Sequence, residues 1–302
     1  MNLPTQRHFF DKLSASAANI PRCYLVFLGR LLGLVAYAID YPHRGIVRRN
    51  LAFTHPDWSK ARIRKLSVNV FQNFGITILE MMQLACMSGK DILRKVRIRG
   101  KQNLMSALKG SNGIIMISAH LGNWEMAPPF VSNYFRRRVV SVARQVRPKA
   151  FDRWVTRRRT RFGNIIVDKK GALPTMARTL KKGNILGILI DQGTKRSEGV
   201  EVEFFGRTTT ATPVAAMLAR RFDSTVLLSY CIREPGKYLT LVVQPPLHLE
   251  KTDDLRADLQ NNTQIMTDAI ERAVKKYPEQ WFWFHKRWKR HYPHLYKEDS
   301  PI

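Results

Sequence analysis

A chain of 302 residues with 44% hydrophobic content is long enough to bury a sizeable core, which excludes a disordered polypeptide. Its 51 Lys and Arg against 23 Asp and Glu leave a formal net charge of +28, so nucleic acid, anionic lipid and acidic carrier proteins are the partners to weigh. Cys23, Cys86 and Cys231 stand far apart with no CxxC pair, which excludes a disulfide framework and a zinc knuckle and fits a reducing compartment.

The first element is the apolar run CYLVFLGRLLGLVAYAI at residues 23–39, broken only by Arg30 and two glycines. As a helix it is roughly 25 Å long, a little under the ~30 Å hydrocarbon core of a bilayer. No small-residue cleavage site follows, and Arg44, Arg48 and Arg49 form a positive flank. Residues 1–44 therefore read as an uncleaved membrane anchor, spanning or interfacial, and 45–302 as one catalytic-size domain. Residues 60–88 repeat apolar positions at helical spacing, in one or two helices, with Glu80 well inside the pattern.

From residue 96 the texture changes to short aliphatic runs, GIIMIS, VVSVA, NIIVD, NILGILID, VLLSYCI and YLTLVV, separated by amphipathic segments. Strands alternating with helices imply an α/β fold with a mostly parallel central sheet flanked by helices. Two crossover helices are signed at their ends. PTMARTLKKG opens on Pro174 and closes on lysines and Gly183, and TPVAAMLARRF opens with Thr212 as the cap and Pro213 at the first helical position. Glu203, alternating with apolar neighbours in GVEVEFFG, is expected to face solvent on a strand or hairpin.

One stretch carries chemistry, GIIMISAHLGNWEMAPPF at residues 113–130. A buried strand ends at His120, and the carboxyl ends of parallel strands line the ligand crevice of such folds. Glu125 opens the next helix after a Gly122-Asn123 turn that could return its carboxylate to the imidazole. A carboxylate on one ring nitrogen fixes the tautomer and raises the basicity of the other, as a general base requires. Asp191, ending NILGILID, reaches the same crevice if the two strands are parallel.

HLGNWE resembles the H-x-x-x-x-E motif of the lysophospholipid and lipid A acyltransferase superfamily. Residues 191–220, residues 277–290 (YPEQWFWFHKRWKR) and the N-terminal LGRLLGLVAYAI…RRNLAF are similar, in order and spacing, to blocks of the lipid A lauroyl/myristoyl acyltransferase branch. The resemblance implies acyl transfer from acyl carrier protein to a hydroxyl of an acylated, Kdo-bearing glycolipid, at the cytoplasmic face of an anionic inner membrane. Laurate and myristate are the acyl chains it implies. His120 would be the base and Glu125 would orient it, with no metal, no cofactor and no acyl-enzyme. It also implies arginines just before Gly163, carried over to Arg159 and Arg161, and supports Asp191 as a substrate-site residue able to pair with an arginine.

Around those arginines, residues 133–161 hold eleven Lys or Arg against the single Asp152. Other acceptors remain open, including other lysolipids and glycolipids, as does acyl-CoA as donor. A nucleic-acid-binding protein is the rival from another class, permitted by charge and by the aromatic, basic tail QWFWFHKRWKR. It has no helix-turn-helix, zinc finger, RRM or KH signature behind it. The tail equally suits a membrane headgroup zone or a core cap. One His and one Glu five apart are too few ligands for a metallohydrolase.

Overall fold

The computed structural model describes residues 3–143, 149–235 and 239–297, with side chains from residue 11 onward. Four helices come first: α1 (Leu3–Ala18), α2 (Arg22–Ile39), α3 (Tyr41–Thr54) and α4 (Lys60–Leu84). Asp40 accepts a hydrogen bond from the His43 amide to start α3, and Ser59 accepts one from Arg62 to start α4. Both satisfy donors that a helix start leaves open. Residues 60–84 thus form one continuous helix, and its interior Glu80 is buried.

The sheet is built from β1 (Val96–Arg99), β2 (Ile114–Ser118), β3 (Val139–Ala143), β4 (Ile165–Asp168), β5 (Ile185–Leu189), β8 (Thr225–Ile232) and β9 (Leu239–Pro246), in the spatial order β1-β9-β8-β2-β5-β3-β4. Strands β4, β3, β5, β2 and β8 pair in parallel, β9 returns antiparallel to β8, and β1 lies parallel to β9. The central strands β2 and β8 are apolar and buried along almost their whole length, as a sheet covered on both faces requires. A side chain such as Ile115 or Ile117, both 0% exposed, contributes ~1.5–3 kcal/mol by its burial.

Helices α5 (Gly89–Lys95), α6 (Lys101–Ala107) and α7 (Ala127–Phe135), with α8 (Lys149–Thr160), α9 (Leu173–Lys181), α10 (Val214–Phe222) and α11 (Leu255–Lys276), complete the described helices. The two signed crossover helices are α9 and α10. The second begins one residue later than its sequence suggests, with Pro213 outside the first turn. β6 (Val200–Phe204) and β7 (Arg207–Ala211) form a separate hairpin closed by Phe205-Gly206, both at positive φ. Val202 and Phe204 point into the core, and Glu201 and Glu203 point out.

The main core lies between one sheet face and α3, α4 and α9–α11, and it takes in the C-terminal segment. Trp281, Trp283 and Trp288 are 3%, 0% and 0% exposed, so the aromatic tail is core and presents no tryptophan to a membrane or a nucleic acid. The indole N–H of Trp283 donates to the Pro278 carbonyl at 2.7 Å, which makes its complete burial tolerable.

Candidate active site

β2 and β5 are adjacent and parallel, with Ser118 level with Leu189. Each strand runs two residues past that pair before its chemically important side chain, so His120 and Asp191 emerge side by side. Nδ1 of His120 lies 2.9 Å from Oδ1 of Asp191, and the His120 amide donates to Oδ2 at 2.9 Å. Oδ2 also accepts from the indole N–H of Trp281 at 2.8 Å. The carboxylate is therefore held at both oxygens and fixes the imidazole with Nδ1 inward. Nε2 is left as the nitrogen for chemistry.

His120 keeps 20% of its side chain exposed and Asp191 only 2%. Burial pushes the Asp191 carboxyl up, but His120 and the Trp281 N–H outweigh it and hold the pKa at about 2. Burial pulls His120 down, yet Asp191, joined by Glu125, lifts it above the ordinary histidine value. Trp124 and Phe282 flank the imidazole, with ring centroids at 5.0 and 5.9 Å.

Glu125 takes a different place from the one its spacing suggests. Its carboxylate is paired through both oxygens with Arg159 of α8, the Nε contact being 2.8 Å, and it accepts from the Trp124 indole at 3.1 Å. Burial raises its pKa, but Arg159 overrides this and keeps it below the usual carboxylate range. The partner of the ring nitrogen is thus Asp191, and Glu125 acts on His120 through space. Asp191 in turn pairs with His120 rather than with an arginine, the pairing the resemblance allows it. The Arg161 guanidinium donates to the Ala85 carbonyl, at the C-cap of α4, at 2.7 Å. Beside the Glu125–Arg159 pair opens a small cleft walled by Met81, Leu84, Pro129 and Trp154.

The turn between His120 and Glu125 is fixed from three sides. Gly122 has φ +65°, and a Cβ there would strike the Cys231 carbonyl oxygen, so only glycine fits. The amide of Gly122 donates to Gln280, and that of Asn123 to Cys231. The Asn123 side chain donates to Glu80 at 2.9 Å. Glu80 itself sits between Arg22 at 2.5 Å and Arg233 at 2.6 Å. Burial raises its pKa, but the two arginines outweigh this and lower it.

Sequence reasoning missed Trp281, Asn123 and the Glu80 cluster as parts of the site. A carboxylate inside the apolar pattern of α4 was the available signal for Glu80. Nothing local marks Trp281, which is 90 residues from Asp191. Among the described residues no three His, Cys, Asp or Glu side chains gather as metal ligands.

The profile of the bacterial lipid A biosynthesis acyltransferase family matches residues 13–290. The chain belongs to that family. It is 24% identical to the lipid A biosynthesis lauroyltransferase of Escherichia coli K12 over 273 residues, covering 90% of this chain and 87% of the relative. To the lipid A biosynthesis palmitoleoyltransferase of the same organism it is 23% identical, with the same coverage. A phosphatidylinositol mannoside acyltransferase of Mycobacterium tuberculosis is 23% identical over 72% of this chain and 68% of its own length. The family is one of acyltransferases acting on lipid, which makes this chain an acyltransferase.

Proposed function

We propose that this acyltransferase moves a fatty acyl chain, laurate or myristate, from acyl carrier protein to a hydroxyl of an acylated, Kdo-bearing lipid A precursor. The observation that carries the reading is the His120–Asp191 pair at the ends of two adjacent parallel strands, with the charges of Glu125 and Arg159 close enough to act on the imidazole. Nε2 takes the proton of the acceptor hydroxyl as its oxygen attacks the thioester carbonyl. The tetrahedral intermediate collapses, the C–S bond breaks, and the imidazolium returns its proton to the departing thiolate. Asp191 orients the ring and stabilises the imidazolium directly, and Glu125 adds its charge at longer range.

Arg159, whose charge reaches His120, is the cation proposed for the oxyanion or the phosphopantetheine arm, and Arg161 holds α8 in place to present it. The thioester is a substrate, and the proposed chemistry uses no cofactor or metal. The positive surface suits both an acidic carrier protein and an anionic inner leaflet, with the site on the cytoplasmic face. In this reading residues 45–302 are the acyltransferase domain and 1–44 its membrane element.

A second reading, acylation of a mannosylated phosphoinositide or another lysolipid, is supported by the mannoside acyltransferase relative. An assay of detergent-solubilised protein separates the two. Lauroyl- and myristoyl-acyl carrier protein, with the CoA thioesters beside them, are offered with a tetraacylated Kdo-bearing precursor and, separately, a mannosylated phosphoinositide. Transfer from the carrier protein to the first acceptor is the expected result. Transfer only to the second, or only from CoA, selects the alternative.

A further inference from the structure

Among the described residues α2 is the one helix long and apolar enough to cross a membrane by length and composition. Phe27, Leu28, Leu31, Leu32, Leu34 and Val35 are each 40–64% exposed along it. Its buried stripe is only Leu25, Gly29 and Gly33. A Cβ on Gly29 would lie 2.6 Å from the Cα of Ile76, and one on Gly33 would strike the Phe71 carbonyl. On α4, Gly75 meets the Gly29 carbonyl in the same way. The helices are thus in backbone contact, antiparallel, in the manner of small-residue crossings.

α4 in turn holds the active-site turn. Thr77 donates to the Gly122 carbonyl at 3.3 Å, and Glu80 takes Asn123 and Arg233. Carrying α2 through hydrocarbon would carry α4 and this polar cluster with it. Both flanks of α2 are also fastened to one body. Before it, Arg158 donates to Asp11 at 2.8 Å and Gln83 to the Ile20 carbonyl at 2.8 Å. After it, Val47 and Leu51 of α3 are 0% exposed in the main core. A spanning helix would instead part its flanks by ~30 Å of hydrocarbon. Arg30, exposed midway along α2, would sit near the bilayer centre of a span, but it reaches phosphates from a helix lying flat.

We propose that α2 is an in-plane membrane helix, its apolar face sunk into the headgroup and acyl boundary of an anionic bilayer, with both of its ends on the same side. This placement does not depend on the acyl acceptor. Where the acyltransferase reading holds, it puts the His120 turn one helix away from the lipid surface.

The test uses the full chain with Cys23→Ser and Cys86→Ser, Cys231 being fully buried. A single cysteine is then returned at exposed Lys12 or exposed Lys60, on either flank of α2. Right-side-out and inverted membrane vesicles of a bacterial host are treated with an impermeant maleimide. Both positions are expected to react in the same vesicle population, and reaction of each in a different one overturns the proposal. Separately, purified wild type and Leu28→Glu/Leu31→Glu, shown to be folded by circular dichroism, are sedimented with phosphatidylglycerol–phosphatidylethanolamine vesicles. At least about 10-fold weaker binding by the variant is expected. Unchanged binding, or wild type that ignores vesicles and instead pairs with a second copy through this face, overturns it.

Discussion

Two buried carboxylates flank the same turn and do opposite work. Asp191 faces an imidazole, whose charge can change, whereas Glu80 faces the guanidiniums of Arg22 and Arg233, whose charge cannot. The first arrangement leaves a proton-accepting nitrogen at the crevice. The second leaves a permanent ion cluster that ties α2, α4, the Gly122-Asn123 turn and the end of β8 together. Similar chemistry thus separates into a reactive pair and a structural one according to the pKa of the partner.

The largest effect is expected at the reactive pair. His120→Ala should lose ~10²- to 10⁴-fold in kcat/KM, the range for a removed general base, with a smaller fall in unfolding midpoint than at the structural pair because Asp191 keeps the residue-120 amide and the Trp281 indole as donors. An acyl-transfer assay beside a denaturant titration checks both halves. At the structural pair the pattern should invert. Glu80→Gln leaves two arginines without their carboxylate and is expected to cost ~3 kcal/mol, the low end for a broken buried pair because Arg22 is one-fifth exposed. Its titration midpoint falls while the acid limb of the pH–rate profile stays in place. A shift of that limb would mean that Glu80 also acts on the base. The smallest effect belongs to Arg161→Ala, which removes one exposed cation from the Ala85 carbonyl. A change in kcat/KM of under about 10-fold is expected, below the range for a lost catalytic group.

The strands that position the site were legible as aliphatic runs, because buried parallel strands carry no polar face to hide them. His120 and Asp191 were both placed at strand ends, and their pairing follows once β2 and β5 are neighbours. That adjacency is a long-range fact, the partners lying 71 positions apart in the sequence. The role of Glu125 misled because proximity in sequence suggested a contact, whereas Arg159, 34 residues on, competes for the same carboxylate with a two-pronged donor. The tryptophan tail and the N-terminal run both looked suited to lipid. Only burial distinguishes them, the tail having packed its three indoles into the core, with polar partners for those of Trp281 and Trp283, and α2 having buried little beyond its glycine stripe.

The central claim is that Asp191 tunes His120 as the base. The base must be neutral to act, so activity rises with pH through the pKa of His120, which Asp191 lifts above 6.5. The most direct measurement is the pH dependence of kcat/KM for wild type and Asp191→Asn. In wild type the acid limb should fall above pH 6.5. In the variant burial pulls the imidazole down with only Glu125 opposing it, so the limb should move to lower pH as the plateau rate drops. An acid limb at the same pH in both proteins would contradict the claim and leave Asp191 a merely structural partner.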